Sequence, residues 1–191
     1  MKSKLTYLFT SLSIIFASGG YDHGTSAGKG NFDISITWNP FNYFEQGQSY
    51  AVLGYGLTNR FDIHGYYSYI HDGADNYYGG MFYQFLDSKY LDLATAIGVR
   101  TIRGVSPSQL FLPQLLYTIH LSKKNRLGGS FVGIKNKSRE IGTTADIFFS
   151  REVYENEKVI IDLTWGVFNP VSWEPKGGEW HPTYSIDIKI K

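Results

Sequence analysis

The chain alternates between apolar and polar residues over many short stretches. Residues 61–69 read FDIHGYYSY, in which the odd-numbered positions are apolar, aromatic or glycine and the even-numbered positions are mainly polar. Successive side chains of a β-strand point to opposite faces, so this pattern predicts a strand between an apolar medium and an aqueous one. The pattern alone does not distinguish a protein core from a lipid bilayer, because both supply an apolar medium.

About ten segments with this alternation follow one another, and together they predict an all-β protein. No window carries a convincing apolar stripe at helical spacing, so we expect helices to be absent or short. Residues 21–31 are polar, rich in glycine and without periodicity, and are interpreted as a flexible lead-in. The predicted strands are Phe32–Trp38, Tyr50–Leu57, Arg60–Tyr69, Tyr77–Leu86, Tyr90–Arg100, Leu110–His120, Leu127–Lys135, Thr143–Ser150, Val159–Phe168 and Thr183–Ile190.

The connections between the predicted strands alternate in length. Short turns follow the second, fourth and sixth strands, whereas longer segments follow the first, third, fifth and ninth. An up-and-down antiparallel sheet places successive connections at opposite ends, so we expect short turns at one end and long loops at the other. Arg151–Lys158 should be a short turn and is of intermediate length. The predicted long loops are Asn39–Gln48, His71–Asn76, Thr101–Gln109 and Asn169–Pro182.

Composition and charge exclude several classes of function. The 191 residues suffice for one domain, and 17% aromatic residues with 21 glycines favour strands and tight turns. A formal net charge of +1 gives no bulk electrostatic argument for a nucleic-acid partner. The chain has no cysteine, which excludes disulfides, zinc–thiolate sites and thiol nucleophiles.

The N-terminus has the pattern of a secretory signal peptide. Lys2 and Lys4 precede the apolar run Leu5–Ala17, and small residues stand at Ala17 and Gly19. The run is short for a transmembrane anchor and is interrupted by hydroxyl residues. We therefore expect a cleaved signal peptide over residues 1–19 and a single barrel domain over 20–191. A mature chain that enters a membrane must then close into a β-barrel, because unpaired strand edges cannot face lipid.

Three features favour lipid outside the predicted barrel over an apolar core inside it. The polar faces contain many small residues, such as Ala94, Ala96 and Gly98, which suit a narrow interior. Several strands reach the roughly 9 to 11 residues that cross a bilayer at a tilt. Aromatic residues also gather near strand ends, as in interfacial girdles. They are Trp38, Phe41, Tyr43, Phe44, Tyr67, Tyr69, Trp165, Phe168, Trp173 and Trp180. A soluble periplasmic barrel that binds a ligand in its mouth remains an alternative.

With hairpins such as YAVLGYGLTNRFDIHGYYSY at residues 50–69, the chain resembles a small bacterial outer-membrane β-barrel. The resemblance is architectural and identifies no specific family. It implies an up-and-down antiparallel barrel of about ten strands in the outer membrane of a Gram-negative bacterium, with lipid and the barrel-assembly machinery as partners. Such barrels usually end on an aromatic residue that this machinery reads, whereas this chain ends with Ile190 and Lys191.

An apolar-Asp-apolar motif recurs six times on the predicted inner face. Five of the aspartates, all except Asp146, are expected at the periplasmic end. They could form an acidic ring that attracts cations, or they could pair with Arg100, Lys189, Arg60 or a histidine in a polar plug that fills a narrow barrel. The candidate lumen and selectivity residues are Asp33, Asp62, His64, Asp92, Arg100, His120, Asp162, Asp187 and Lys189. The residues predicted to face lipid are Phe61, Ile63, Tyr67, Ile161, Leu163, Trp165, Ile186 and Ile188.

An enzyme is the second class of function to weigh. Asp62, His64 and Ser68 share one predicted face, but Ser68 lies too far along the strand from His64, so Ser130 or Ser35 would have to serve as the nucleophile. The sequence contains no G-x-S-x-G motif, and no two histidines share a metal-ligand spacing on one element. We therefore predict no catalytic, metal or cofactor-binding residues, with a lipid-modifying barrel enzyme (acyl hydrolase or transferase) as an alternative.

The predicted function is a non-enzymatic outer-membrane barrel, exported through its signal peptide. It is either a small pore for cations or other small solutes, or a structural or adhesive barrel whose long loops meet the exterior. The sequence does not indicate the solute or the oligomeric state.

Overall fold

A computed structural model of the chain describes residues 23–38, 49–69, 75–102, 105–171 and 178–191. This part of the chain contains no helix long and apolar enough to cross a membrane. The signal-peptide region 1–19 and the predicted loop Asn39–Gln48 lie outside the described residues. The strands are β1 (Phe32–Trp38), β2 (Ser49–Gly56), β3 (Phe61–Tyr69), β4 (Asp75–Leu86), β5 (Leu91–Ile102), β6 (Val105–Phe111), β7 (Leu115–His120), β8 (Asn125–Lys135), β9 (Ile141–Glu155), β10 (Val159–Asn169) and β11 (His181–Ile190).

The strands form one closed antiparallel barrel. Strand β1 pairs with β2 on one side and with β11 on the other, in a register that runs from Phe32 opposite Ile190 to Trp38 opposite Tyr184. Strands β6 and β7 each pair with both β5 and β8, so they share one position in the wall. The barrel thus has ten strand positions, which confirms the predicted all-β, up-and-down fold.

A break divides the sixth wall position. The sequence predicts one strand over Leu110–His120, whereas the structure starts at Val105 and interrupts the ladder at residues 112–114. Pro113 lies in the break and has no backbone N–H to donate. On either side the ladder resumes, because Leu112 N donates to Gly133 O and Gln114 N to Ala96 O, both at 2.8 Å.

Short connections gather at one end of the barrel, which we call the turn end; the opposite end is the loop end. The turn end holds residues 57–60, 87–90, 121–124 and 156–158, the start of β1 and the end of β11. The segment Arg151–Lys158, of intermediate length in the sequence, ends in a short turn as the up-and-down pattern requires, since β9 continues to Glu155 and the asparagine turn at Asn156 closes it. Most of the predicted loop Thr101–Gln109 is also strand, because β5 extends to Ile102 and β6 begins at Val105. Pairing along the strands, rather than local composition, sets these bounds.

Large apolar side chains predominate on the outward face of the strands. Ile36, Leu53 and Phe131 expose 57%, 53% and 56% of their surface, whereas inward-pointing Asp62 and Thr183 expose 0% and 1%. A soluble ligand-binding barrel would place these two sets the other way round. The outer face carries all eight residues predicted to meet lipid: Phe61, Ile63, Tyr67, Ile161, Leu163, Trp165, Ile186 and Ile188.

Aromatic side chains mark both rims of this apolar surface. At the loop end Trp38 packs against Tyr184 with ring centroids 6.4 Å apart, and Tyr67 against Tyr77 at 5.4 Å. At the turn end Tyr90 is exposed beside Lys89. Aromatic girdles at two levels are typical of barrels that cross a bilayer. The aromatic residues Phe41, Tyr43, Phe44 and Trp173 lie outside the described residues.

A charge on the outer face tests the medium that surrounds the barrel. Ile97 lies in the middle of β5 and is 40% exposed, whereas Leu121 lies in a turn and is 57% exposed. In a bilayer, Ile97→Arg should lower the free energy of unfolding by about 2–4 kcal/mol and Leu121→Arg by about 0–1 kcal/mol. Urea unfolding in lipid vesicles measures both, and equal effects would contradict a midplane position for Ile97.

Candidate functional site in the barrel interior

The interior of the barrel has two chemically different halves. The half lined by β2 and β4–β8, which we call the apolar half, holds two clusters of buried apolar side chains beside buried polar residues such as Gln84, Asp92 and Thr118. The half lined by β1, β10 and β11 is polar: every inward position of β1 and β11 carries a hydroxyl, a charge or an imidazole. These residues are Asp33, Ser35, Thr37, His181, Thr183, Ser185, Asp187 and Lys189. The polar half is therefore the part of the interior best suited to an aqueous path.

Glycines on the inner face leave space for aromatic rings, which fill the apolar half. A Cβ on Gly98 would lie 2.4 Å from the ring of Tyr78, and one on Gly128 would lie 2.4 Å from the ring of Phe148. The ring of Tyr78 stacks on Tyr66 at 5.0 Å and meets Phe111 edge-on at 5.0 Å. Small residues on the inner face thus make room for large ones.

Val171 closes this half from the loop end. It follows β10 and is only 1% exposed, because it packs with Tyr78, Phe111, Val132 and Ile134. A residue outside the strands thereby becomes part of the interior.

Two of the predicted lumen residues belong to this apolar half. His64 places Nε2 3.2 Å from the hydroxyl of Tyr78, which also accepts a hydrogen bond from Gln114 Nε2 at 3.2 Å. Arg100 donates through Nε to Gln109 Oε1 at 2.8 Å, and its guanidinium lies over the ring of Phe111 at 5.4 Å. Arg100 is thus held near the loop end, at the opposite end of the barrel from most of the aspartates.

Five of the six motif aspartates line the turn end of the interior. Two of them lie on the β3–β5 wall: Asp62 at the start of β3, and Asp92, whose Oδ2 is 2.9 Å from His120 Nε2. The other three, Asp33, Asp162 and Asp187, lie on the polar half. The sixth, Asp146, lies farther from the turn end and accepts hydrogen bonds from the backbone N and the hydroxyl of Ser130 at 2.6 and 2.9 Å.

Protein groups neutralise or solvate the three aspartates of the polar half. Asp162 forms a salt bridge with Arg126, and Asp33 Oδ1 lies 3.8 Å from Lys189 Nζ. Asp187 accepts hydrogen bonds from Ser35 and Thr164, each at 2.5 Å, and from Ser185 at 3.2 Å. One oxygen of Asp33 and one of Asp162 have no hydrogen-bond partner within the described residues.

Residues 23–31 fold back into the turn end, whereas their sequence predicts a flexible lead-in. A turn reverses the chain, with Asn31 N donating to Gly28 O at 3.1 Å. Gly28 and Gly30 have φ values of 83° and 84°, a conformation that glycine adopts readily. The sequence GKGN thus directs residues 27 to 23 back inside the barrel.

The returning segment is hydrogen-bonded to the β3–β7 wall. Ala27 N donates to Asp62 Oδ2 at 2.8 Å, and the hydroxyl of Thr25 donates to Asp92 Oδ2 at 2.7 Å. Further hydrogen bonds run from Ser26 N to Gln84 Oε1 at 2.9 Å, from Gly24 N to Thr118 Oγ1 at 3.0 Å, from Ser26 Oγ to Asn59 O at 2.6 Å and from Lys189 Nζ to Ser26 O at 3.3 Å. The segment therefore occupies the part of the interior next to Asp62 and Asp92.

A cavity of about 70 Å³ remains between this segment and the polar half. Its charged lining is Asp33, Asp162, Asp187, Arg126 and Lys189. His23 also contributes to the lining; burial, with smaller contributions from Lys189 and Arg126, lowers its pKa from 6.5 to about 3. The imidazole is therefore neutral near neutral pH, and the lining also carries three acidic and two basic side chains. The cavity can hold several water molecules.

Serine hydroxyls near the predicted lumen residues bond to carboxylates. Ser130 donates to Asp146, and Ser35 donates to Asp187. The described residues contain no group of three or more His, Asp or Glu side chains arranged to hold a metal ion.

Sequence reasoning missed Arg126 and the segment at residues 23–27. Arg126 belongs to the run Lys123–Arg126, which is typical of a solvated turn, and only the pairing of β8 with β9 turns its side chain inward. The signal for the segment was present in the two glycines of GKGN, which permit the reversal, but its hydrogen bonds connect residues up to 163 positions apart.

Comparisons with known proteins identify no family. No protein-family model matches the chain, and no curated protein matches it. Among solved structures, a KdgM porin in complex with disordered oligogalacturonate is similar with a TM-score of 0.45 and 10% identity, over 84% of this chain and 98% of that one. Another KdgM porin structure gives 0.42 and 9% over the same shares. A bacterial polysaccharide outer membrane secretin gives 0.32 and 7%, over 86% of this chain and 98% of that one. These likenesses are too distant to indicate a function.

Removal of Arg126 tests the electrostatic balance of the cavity. Arg126→Ala leaves the carboxylate of Asp162, which is 8% exposed, without its cation. We expect the free energy of unfolding to fall by about 2 kcal/mol. The exposed Arg151, opposite Asn125 on the neighbouring strand, provides the control. Arg151→Ala should change the free energy of unfolding by less than about 0.5 kcal/mol. In the double variant Arg126→Ala, Asp162→Ala part of the stability should return; additive losses in urea unfolding would show that the two side chains do not interact.

Proposed function

We propose that the chain spans a bacterial outer membrane, with the turn end on the periplasmic side and the loop end outside. The closed barrel with its apolar exterior and polar interior supports this proposal, because an apolar belt of this extent requires a partner or a lipid phase. Export through a signal peptide over residues 1–19 is part of the proposal. Lipid and the barrel-assembly machinery are the expected partners.

Fractionation of cells that express the full chain tests this location. A folded membrane barrel should appear in the outer-membrane fraction and migrate differently on gels before and after boiling. Recovery from the soluble periplasm would contradict the proposal and would direct attention to a soluble assembly that covers the apolar exterior.

Within the membrane, we infer that the barrel is a small gated pore for cations or small polar solutes. The observation that carries this inference is the polar half of the interior, which reaches from Thr37 and Thr183 near the loop end to Asp33, Asp162 and Asp187 at the turn end. Carboxylates at a constriction favour cations. The polar half contains a cavity of about 70 Å³ at the turn end, where a conducting path would pass.

A structural or adhesive barrel is the second candidate. The filled apolar half, with Tyr78, Phe111 and Val171 packed inside, favours it because barrels of about ten strands have little interior space beyond their side chains. In that case the long connections at the loop end would carry the function, and the barrel would serve as an anchor.

Ion selectivity tests the pore. Vesicles or planar bilayers that contain the barrel should show cation-selective conductance across a KCl gradient. Asp33→Asn and Asp162→Asn should each lower the cation preference, by up to about fivefold, since one charge at about 4 Å in water is worth about 1 kcal/mol. Glu157→Gln removes a carboxylate from an exposed turn and should leave the selectivity unchanged. Selectivity that survives both lumen substitutions would exclude these aspartates as the filter.

A further inference from the structure

The wall at the turn end is built to accept a peptide backbone. Three backbone N–H groups of one short stretch, those of Gly24, Ser26 and Ala27, each donate to a different wall side chain. The three acceptors, Thr118, Gln84 and Asp62, belong to β7, β4 and β3. Side-chain acceptors from three strands converge on one short stretch of backbone and form a binding site, which residues 24–27 occupy.

Shape complementarity between segment and wall requires glycine on both sides. A Cβ on Gly24 would lie 2.6 Å from Asp92 O and 2.9 Å from Tyr117 Cα, so no other residue fits there while the segment is docked. Conversely, a Cβ on Gly56 of β2 would lie 1.9 Å from Gly28 O. These clashes are with backbone atoms, which cannot move aside as a flexible side chain can.

The docked stretch is held by a different kind of interaction from the apolar clusters of the interior. Residues 24–27 read GTSA, and their contacts with the wall are mainly hydrogen bonds to polar groups. Water that enters the turn end can replace these hydrogen bonds, whereas no such exchange compensates for the exposure of Phe82 or Leu116. The turn at Gly28–Asn31, with two glycines at positive φ, provides a point about which the stretch can swing.

We propose that residues 23–27 are a tethered stopper, which closes the barrel while docked on Asp62, Gln84, Asp92 and Thr118 and opens the polar half when it leaves. The inference rests on the proposed function as a pore. Undocking widens the cavity beside Asp33 and Asp162 and exposes Asp62 and Asp92 to the same space. All five turn-end aspartates then line one aqueous vestibule that attracts cations.

Because the chain has no cysteine, single thiols can report on docking in the full-length barrel. Ser26→Cys places a near-isosteric thiol at a position that is 6% exposed, and Lys29→Cys places one at an exposed position in the adjoining turn. A membrane-impermeant cationic thiol reagent should label the Ser26→Cys variant about 10- to 1000-fold more slowly than the Lys29→Cys variant, as expected when the undocked state is minor. Equal labelling rates in the folded barrel would overturn docking.

Valine at the close-approach glycines should release the stopper. Gly56→Val obstructs Gly28, and Gly24→Val obstructs the β5 and β7 backbone from the segment's own side. Gly79→Val is the matched control, because it is also a strand glycine but a Cβ there meets nothing within 4 Å. Gel migration before and after boiling verifies that each barrel is folded. If Gly56→Val does not fold, Gly24→Val still tests the stopper, because Gly24 lies outside the strands.

Thiol labelling and conductance together distinguish the stopper hypothesis from the pore hypothesis. If both ideas hold, adding Gly56→Val or Gly24→Val brings the labelling rate of the Ser26→Cys thiol close to that of the Lys29→Cys thiol and raises the conductance severalfold, while Gly79→Val changes neither. If labelling rises and a measurable conductance stays constant, the stopper is wrong and the pore stands. If labelling rises and no variant conducts, the pore is wrong, and the stopper is overturned with it because there is no flow to block.

Discussion

The fold depends on the requirement that no backbone N–H or C=O group of the wall faces an apolar medium without a partner. In a sheet that is apolar on its outer face, this requirement is met when the first strand pairs with the last, as β1 does with β11 over the full length of β1. The break at Pro113 and the length of β9 are compatible with this requirement. The ladder tolerates Pro113 because hydrogen bonds to Gly133 and Ala96 resume on either side, and β9 extends to Glu155 so that the turn at Asn156 stays short.

Closure creates a second problem, because a narrow cylinder has an interior that must be packed or hydrated. The apolar half solves it with complementary pairs, in which a glycine on one strand accepts an aromatic ring from another, as Gly98 does for Tyr78. The polar half instead uses charge and hydroxyl pairing, centred on Asp187 and on the Asp162–Arg126 ion pair. The chain's own residues 23–27 complete the filling at the turn end, where they donate hydrogen bonds to Asp62 and Asp92.

Period-two alternation, together with the connection lengths and the aromatic residues near strand ends, was enough to predict the barrel. It also placed the five aspartates at one end, since each stands at the same end of an up or down strand. The alternation does not predict which basic side chain pairs with each aspartate. Arg126 and Asp162 lie 36 positions apart, and which cation meets which carboxylate depends on register and on the inward tilt of long side chains. Glycine-rich polar sequence before the first strand is typical of a flexible tail, and only the assembled wall supplies the acceptors that order residues 23–27.

The position of residues 23–27 has a consequence for the order of assembly. Their hydrogen-bond partners lie on β3, β4, β5, β7 and β11, so the docking surface exists only once strands from both ends of the chain stand side by side. Although residues 23–27 precede every strand in the chain, they can dock only after these strands have paired. Pairing of the wall and docking of this segment are then successive steps of folding.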